Sequence, residues 1–247
     1  MATVFHLAIL ETDTTPTSIS DVEGTYADIV EKFVRCGLDQ AEKPIPEVRI
    51  TKWNVVEGQS YPDLAEVDAI FLTAGRYSAY DDYPWAFRLM GLIQKAYEKE
   101  IPMLAICYGH QILARALGGK VTINPKGSEL SVTSIDLTPQ GADLFGVKSL
   151  NVHQMHLDAV VELPPGMDII GSSSRCDVQL LYQKGRVFGI QGHPEANSFV
   201  IKESLKARLC QNLIDSDTYH DAMSQADRVH DGKLFSRVVP RFLFDDC

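Results

Sequence analysis

Two short motifs contain residue types that could do nucleophilic chemistry. The first is residues 105–111, Ala-Ile-Cys-Tyr-Gly-His-Gln, where Cys107 follows an apolar run and precedes a helical pattern. A cysteine in such a strand-to-helix turn faces the free N–H groups of the helix N-terminus, which favour a thiolate and a developing oxyanion. Gly109 allows the backbone to fold tightly beside it. This motif predicts a nucleophilic thiol at Cys107.

The second motif is Gly-His-Pro-Glu at residues 192–195, directly after an apolar run. Residues two apart in an extended segment point to the same side, so His193 and Glu195 can stand together. A carboxylate beside an imidazole fixes its tautomer and stabilises its protonated form. Because active groups gather at the carboxyl ends of strands in α/β sheets, Cys107 and His193 are predicted to meet there.

The elements that must position these motifs alternate between strands and helices in the first half of the chain. Predicted strands cover 3–10, 48–55, 68–73 and 101–106, and predicted helices cover 26–37, 84–97 and 108–117. Gly37 is predicted to end the first helix, and Gly118 with Gly119 to end the third. This alternation favours an α/β fold with a three-layer, doubly wound, mostly parallel sheet.

The second half of the chain has a different pattern of predicted elements. Its short β-rich runs cover 130–137, 160–163, 169–172, 179–183 and 186–191, and predicted helices follow at 199–213, 219–230 and 233–242. The short runs predict a small antiparallel β extension packed on the sheet. We expect one domain over 1–247, with 214–247 as its C-terminal helical extension.

Composition limits the possible partners and location. The 247 residues are 45% hydrophobic and carry a formal net charge of −10, which argues against nucleic acid and anionic membrane surfaces. The N-terminus shows no leader pattern, and no apolar run is long enough to span a bilayer. The five scattered cysteines include no CxxC pair, so neither a disulfide framework nor a zinc site is predicted. We expect a reducing, cytoplasmic location.

Both motifs and the order of elements resemble the class I glutamine amidotransferase family, whose site is a Cys-His-Glu triad. Within that superfamily, the chain is most similar to stand-alone fungal members described as GMP-synthase-like and to plant γ-glutamyl peptidases. The loop 73–82 resembles their oxyanion loop, and residues 231–243 resemble their C-terminal segment. The resemblance covers nearly the whole chain and implies a flavodoxin-like amidotransferase fold without a cofactor.

The resemblance also implies roles for individual residues. Cys107 would attack the side-chain carbonyl of a γ-glutamyl group, His193 would pass a proton to the departing amine, and Glu195 would orient His193. Backbone N–H groups of Tyr108 and of the Gly75 loop would hold the oxyanion. Water would then hydrolyse the thioester and release glutamate.

The substrate's α-amino and α-carboxylate groups would be held, on the same resemblance, by a second set of residues. That set is Gln111 and the backbone around Met155, His156 and Leu157, with His156 lining the pocket. His153, His156 and Asp158 also have the composition of metal ligands, but neither a cysteine nor an acidic cluster accompanies them in the sequence. We therefore predict no metal site.

The chain departs from the family pattern at three positions. Ala105 precedes the Ile-Cys pair where glycine is usual, and Ala74 stands in the oxyanion loop where a second glycine or a serine is common. The segment 127–131, Gly-Ser-Glu-Leu-Ser, has serine where a glycine is frequent. The first two changes lie close to the reacting atoms, so they bear on the choice of substrate.

Three functions are compatible with these residues. The leading one is a cysteine hydrolase that releases glutamate from glutamine or from γ-glutamyl peptides. The second is a glutaminase subunit that supplies ammonia to a separate synthetase, since the chain contains no ATP-grasp or ATP-pyrophosphatase motif of its own. The third is a catalytically silent relative that binds a ligand in the same pocket.

Overall fold

The computed structural model describes residues 4–58 and 60–245. In this part the strands are β1 (Phe5–Glu11), β2 (Val48–Asn54), β3 (Ala69–Leu72), β4 (Met103–Ile106), β5 (Lys120–Ile123), β6 (Glu129–Leu137), β7 (Ser149–His156), β8 (Asp158–Glu162), β9 (Asp168–Ser172), β10 (Leu180–Gln183) and β11 (Val187–Ile190). The helices are α1 (Thr17–Glu23), α2 (Tyr26–Leu38), α3 (Pro84–Glu98), α4 (Tyr108–Ala116), α5 (Pro139–Phe145), α6 (Ser198–Cys210), α7 (Ser216–Gln225) and α8 (Gly232–Phe244).

Nine strands form one mixed sheet in the order β2-β1-β3-β4-β11-β10-β9-β6-β7. Neighbours from β2 to β11 pair in parallel. Neighbours from β11 to β7 pair antiparallel, so the predicted antiparallel extension continues the sheet edge to edge and is not stacked on it. The strands β5 and β8 form a separate two-stranded sheet. The predicted α/β class with a mostly parallel central sheet is confirmed.

Helices cover both faces of the parallel strands and produce three layers. Side chains alternate along β3, so Ile70 and Leu72 pack with α3 and α4, whereas Ala69 and Phe71 pack with α2 and α8. All four of these residues are fully buried. A strand covered on both faces must be apolar throughout, which explains the unbroken apolar runs in the sequence.

Four elements were not predicted: the short elements α1, α5 and β5, and the eight-residue strand β7. The two helices have seven residues each, too few for a helical repeat to stand out. The predicted first strand begins at Thr3, which lies outside the described residues. The predicted helix 219–230 is shifted, because the Asp215 side chain accepts a hydrogen bond from the Thr218 N–H at 2.7 Å and caps α7 at its start. Among the described residues, no helix is both long and apolar enough to cross a membrane.

The prediction that Gly37 ends its helix is wrong, because α2 continues through it to Leu38. Gly37 lies where α2 crosses α8, and a Cβ built on it would be 2.0 Å from the carbonyl oxygen of Ser236. The missing side chain therefore permits close contact between two helices. This contact holds α8 against the core, where Phe235 and Val239 are buried.

Replacing Gly37 with alanine should lower the free energy of unfolding by about 1–3 kcal/mol, since the added methyl group meets a backbone oxygen that cannot move alone. The matched control is Gly91→Ala in α3, where a Cβ meets nothing within 4 Å. That substitution should raise stability by about 0.5–1 kcal/mol, because it only removes the helix penalty of glycine. Urea unfolding measures both, and equal stability of the two variants would contradict the close-contact role.

Candidate active site

Cys107 lies in a sharp turn between β4 and α4. Its φ is +49°, in the left-handed region that a non-glycine residue seldom adopts, and it caps the N-terminus of α4. Its backbone N–H donates to the carbonyl of Ile190 at 2.7 Å, which fixes the turn to β11. The residue is 6% exposed. The sulfur is thus presented at a helix N-terminus, where a thiolate is favoured.

Gly109 allows this turn to pack closely against the end of β3. Its N–H donates to the Thr73 carbonyl at 3.1 Å, and a Cβ on it would lie 2.6 Å from the carbonyl oxygen of Leu72. Glycine is required here for the close approach of two backbones. Ala105, the first departure from the family pattern, is fully buried in β4, level with Gly189 of β11.

His193 follows β11, the strand beside β4, so the ends of both strands meet as predicted. The His193 N–H donates to the carbonyl of His153 in β7 at 2.7 Å, which means that the antiparallel half of the sheet curves back over this end. The Nδ1 atom is 2.9 Å from Oε1 of Glu195. The Nε2 atom is buried and has no hydrogen-bond partner among the described residues. The ring is therefore oriented by Glu195 with its other nitrogen open for chemistry.

Electrostatics favours a protonated His193. Burial of the ring works against the charge, but the Cys107 sulfur and the Glu195 carboxylate outweigh it and raise the pKa of His193 from 6.5 to about 10. An imidazolium beside the sulfur in turn favours the thiolate. The arrangement suits a nucleophile with a proton donor at its side.

Cys107, His193 and Glu195 line one open pocket. Its remaining wall comes from the loop at residues 73–76, from α2, from β7 and from α6, and includes Thr73, Ala74, Gly75, Arg76, Tyr26, Ile29, Val30, Met155, Val200, Ile201 and Arg208. The sequence prediction missed Tyr26 and Arg208. No local signal marks them, because their place in the pocket depends on how α2 and α6 pack over the sheet.

The predicted substrate residues are only partly in this pocket. Met155 and Gly75 line it. The Gln111 amide is engaged elsewhere, because its Nε2 donates to the carbonyl of Asp158 at 2.9 Å and to Oε1 of Gln191 at 3.0 Å. Leu157 is 45% exposed and is not among the lining residues.

Two further predicted residues, Tyr108 and His156, have side chains that are held by packing or by hydrogen bonds. The Tyr108 ring is buried against Tyr77 and Trp85, so only its backbone N–H, at the first position of α4, is left for an oxyanion. The His156 ring is held on both sides, with Nδ1 3.0 Å from the Asp158 carbonyl and Nε2 3.1 Å from the Glu129 carboxylate. His156 is not among the residues that line the pocket, and its ring is held by Asp158 and Glu129.

Gln191 is a buried residue that contacts the Cys107 sulfur. It was not predicted from the sequence. Its Nε2 donates to Cys107 Sγ at 3.8 Å, and its Oε1 accepts from Gln111. It is fully buried between the two strand ends. An amide chain therefore runs from the Asp158 carbonyl through Gln111 and Gln191 to the nucleophile, and it restrains the sulfur.

A second Cys-His-Glu group lies apart from the pocket lining. Donor atoms of Glu129, His156 and Cys176 lie within 4.8 Å of one another, and all three residues are buried. The Glu129 carboxylate already accepts hydrogen bonds from Ser173 Oγ and Gln179 Nε2 at 2.7 Å each. Burial first, and the Glu129 charge second, raise the pKa of the Cys176 thiol to about 12. The thiol is therefore protonated in the core and a poor nucleophile, and the Glu129 and His156 side chains are part of a buried hydrogen-bonded network.

Comparison with known proteins agrees with this geometry. The family described as glutamine amidotransferase class-I matches residues 27–210. A glutamine amidotransferase-like protein of Schizosaccharomyces pombe is 30% identical, over 98% of this chain and 99% of that protein. Gamma-glutamyl peptidase 3 of Arabidopsis thaliana is 29% identical, over 90% of this chain and 91% of its own length. The fold matches a crystal structure of a Thermotoga maritima glutamine amidotransferase with a TM-score of 0.74 at 23% identity, covering 97% and 99% of the two chains. The chain belongs to the class I glutamine amidotransferase family.

Proposed function

We propose that this protein is a cysteine hydrolase that cleaves the γ-glutamyl amide bond through a thioester on Cys107. One observation carries the proposal: the His193 ring is fixed by Glu195 at 2.9 Å and is held cationic by that carboxylate and the Cys107 sulfur, within one open pocket. In this arrangement Cys107 is the nucleophile, His193 is the acid and base, and Glu195 positions His193.

In the first half of the reaction, the thiolate sulfur attacks the amide carbon of the γ-glutamyl group. The carbonyl electron pair moves to oxygen, where the N–H of Tyr108 and the backbone of the Gly75 loop stabilise the oxyanion. His193 Nε2 donates its proton to the departing nitrogen as the C–N bond breaks. The products are an amine and a glutamyl thioester on Cys107.

In the second half, water takes the place of the amine. The neutral His193 accepts a proton from water as the water oxygen attacks the thioester carbon. The C–S bond then breaks, glutamate leaves, and the thiolate and imidazolium are restored. The overall reaction consumes one water molecule and needs no cofactor.

The pocket supports a γ-glutamyl peptide as substrate better than glutamine. Apolar side chains of Ile29, Val200 and Ile201 line it, and an amino acid leaving group can contact them whereas ammonia cannot. The relative from Arabidopsis thaliana named gamma-glutamyl peptidase 3 points the same way. Supply of ammonia to a separate synthetase remains the second candidate. A free thiol nucleophile also suits the reducing cytoplasm that we propose as its location.

Substitution of Cys107 by alanine should reduce glutamate release by about 10³-fold or more, because the reaction loses its covalent route. The assay compares L-glutamine with γ-glutamyl-leucine at equal concentration. The matched control is Cys210→Ala, which removes an exposed free thiol at the end of α6 and should leave the rate unchanged.

The other possible outcomes of that assay would each support a different function. Faster turnover of glutamine than of the dipeptide would favour the ammonia-supplying subunit. If neither substrate yields glutamate and a glutamine-mimicking alkylator leaves Cys107 unmodified by mass spectrometry, the protein is a silent ligand-binding relative. Equal rates of wild type and Cys107→Ala would falsify the thioester mechanism.

Substitution of Glu195 by glutamine should move the alkylation of Cys107 by iodoacetamide to higher pH. Glu195 helps to raise the pKa of His193 to about 10, so wild type keeps its imidazolium between pH 6.5 and 10. Without that carboxylate the imidazolium is lost at lower pH and the thiolate is less favoured at neutrality.

Mass spectrometry of the Cys107 peptide across pH measures this shift separately from the other thiols. The control is Glu162→Gln, which removes an exposed carboxylate paired with Lys120 and should leave the profile in place. An unchanged profile in Glu195→Gln would mean that Glu195 does not govern the charge of His193.

A further inference from the structure

Arg208 places an unpaired positive charge on the wall of the pocket. Its side chain extends from α6 and lines the same pocket as Cys107. Its Nη2 atom donates to the carbonyl of Met155 at 3.0 Å, and it forms no ion pair with a carboxylate of the described residues. A guanidinium has five N–H donors, so most of its hydrogen-bonding capacity is open to the pocket.

The other arginine of the pocket differs in this respect. Arg76 pairs through Nε with Asp13 at 3.3 Å, and its side chain is 57% exposed whereas that of Asp13 is 1% exposed. The charge of Arg76 is therefore compensated by a buried carboxylate. Arg208 forms no such ion pair with the described residues, and the Asp158 carboxylate acts on it only from beyond ion-pair distance.

The electrostatics of Arg208 calls for an anion. Burial lowers the pKa of Arg208, because removal of water disfavours its charge, and this effect outweighs the opposite effects of the Cys107 sulfur, Tyr26 and the Asp158 carboxylate. Sheltered guanidinium groups are stabilised by carboxylates, with which they form paired, charge-assisted hydrogen bonds. The pocket thus contains a cation that a carboxylate ligand would satisfy.

The charges of the reacting groups point to the same need. The Cys107 thiolate and the Glu195 carboxylate are negative, and the His193 imidazolium is positive, so together they carry one net negative charge. A γ-glutamyl dipeptide brings two carboxylates and one α-ammonium group, so it adds a second net negative charge to this pocket. A further cation is needed to offset the repulsion, and Arg208 is placed to do so.

We propose that Arg208 binds a carboxylate of the γ-glutamyl substrate and thereby determines specificity, an inference that rests on the function proposed above. Two carboxylates of a γ-glutamyl dipeptide qualify: the α-carboxylate of the glutamyl group and the C-terminal carboxylate of the leaving amino acid. Both present the same chemistry to the guanidinium, and they are separated by the choice of substrate.

Three matched compounds make this separation. γ-Glutamyl-leucine carries both carboxylates, γ-glutamyl-isoamylamide lacks that of the leaving group, and 4-aminobutanoyl-leucine lacks the α-carboxylate. The variant Arg208→Gln should raise KM for γ-glutamyl-leucine by about 10-fold to 100-fold with little change in kcat, the loss expected for a charge-assisted bond. Arg208→Lys should recover part of the affinity, since it restores the charge without the planar fork.

The effect on the truncated compounds identifies the group that is bound. An effect that persists with γ-glutamyl-isoamylamide but is absent with 4-aminobutanoyl-leucine assigns Arg208 to the α-carboxylate, and the reverse pattern assigns it to the leaving group. The control Lys206→Gln removes a charge from the same helix at a residue paired with Glu203, and it should leave KM unchanged.

Two results would overturn the proposal. One is an unchanged KM in Arg208→Gln. The other is an equal fall in kcat for all three compounds together with a shifted alkylation profile of Cys107, which would make Arg208 a stabiliser of the thiolate instead.

Binding without turnover separates this inference from the proposed function. Calorimetry compares the affinity of γ-glutamyl-leucine for Cys107→Ala with that for Cys107→Ala/Arg208→Gln. If wild type hydrolyses none of the compounds but the affinity falls about 10-fold or more in the double variant, the hydrolase is wrong and the carboxylate site stands. If wild type is active and the two affinities are equal, the carboxylate site is wrong and the hydrolase stands.

Discussion

The parallel pairing of β4 with β11 is the constraint on which the rest of the site depends. It brings two strand ends that are 84 residues apart in sequence to one edge, and the bond from the Cys107 N–H to the Ile190 carbonyl locks them level. Cys107 directly follows one strand, and His193 follows the other. Neither residue needs a long loop to reach its partner, so both are held by the backbone of the sheet.

The residues that could be predicted from sequence are those that lie in a short local motif typical of their chemistry. Cys107, His193 and Glu195 each follow a strand, and the rule that strand ends converge was enough to bring them together. Arg208 and Gln191 could not be found in this way. Their side chains reach the site only because α6 packs over β7 and because β11 lies between β4 and β10, and neither packing leaves a periodic signal in the chain.

Tertiary contacts at Gly37 and Gln111 could not be seen in the local sequence patterns. Gly37 reads as a helix stop, yet it serves a crossing with α8 that is visible only once the two helices are packed. The sequence assigns Gln111 to the substrate, and the structure adds that its amide bonds to Asp158 and Gln191, which lie far from it in sequence. A local pattern indicates the secondary-structure element of a residue. Its packing and hydrogen-bond partners are determined by the tertiary structure.

β11 is the strand at which the sheet changes from parallel to antiparallel pairing, and the reactive pair lies at the end of that strand. The sulfur belongs to the parallel half, whereas the imidazole is tied through His153 to the antiparallel half. A change in twist between the halves would therefore alter the sulfur–imidazole separation before any ladder hydrogen bond breaks. The reactivity of the Cys107 thiol should therefore depend on how the two halves of the sheet are aligned, and it should fall before the fold is lost when that alignment is disturbed.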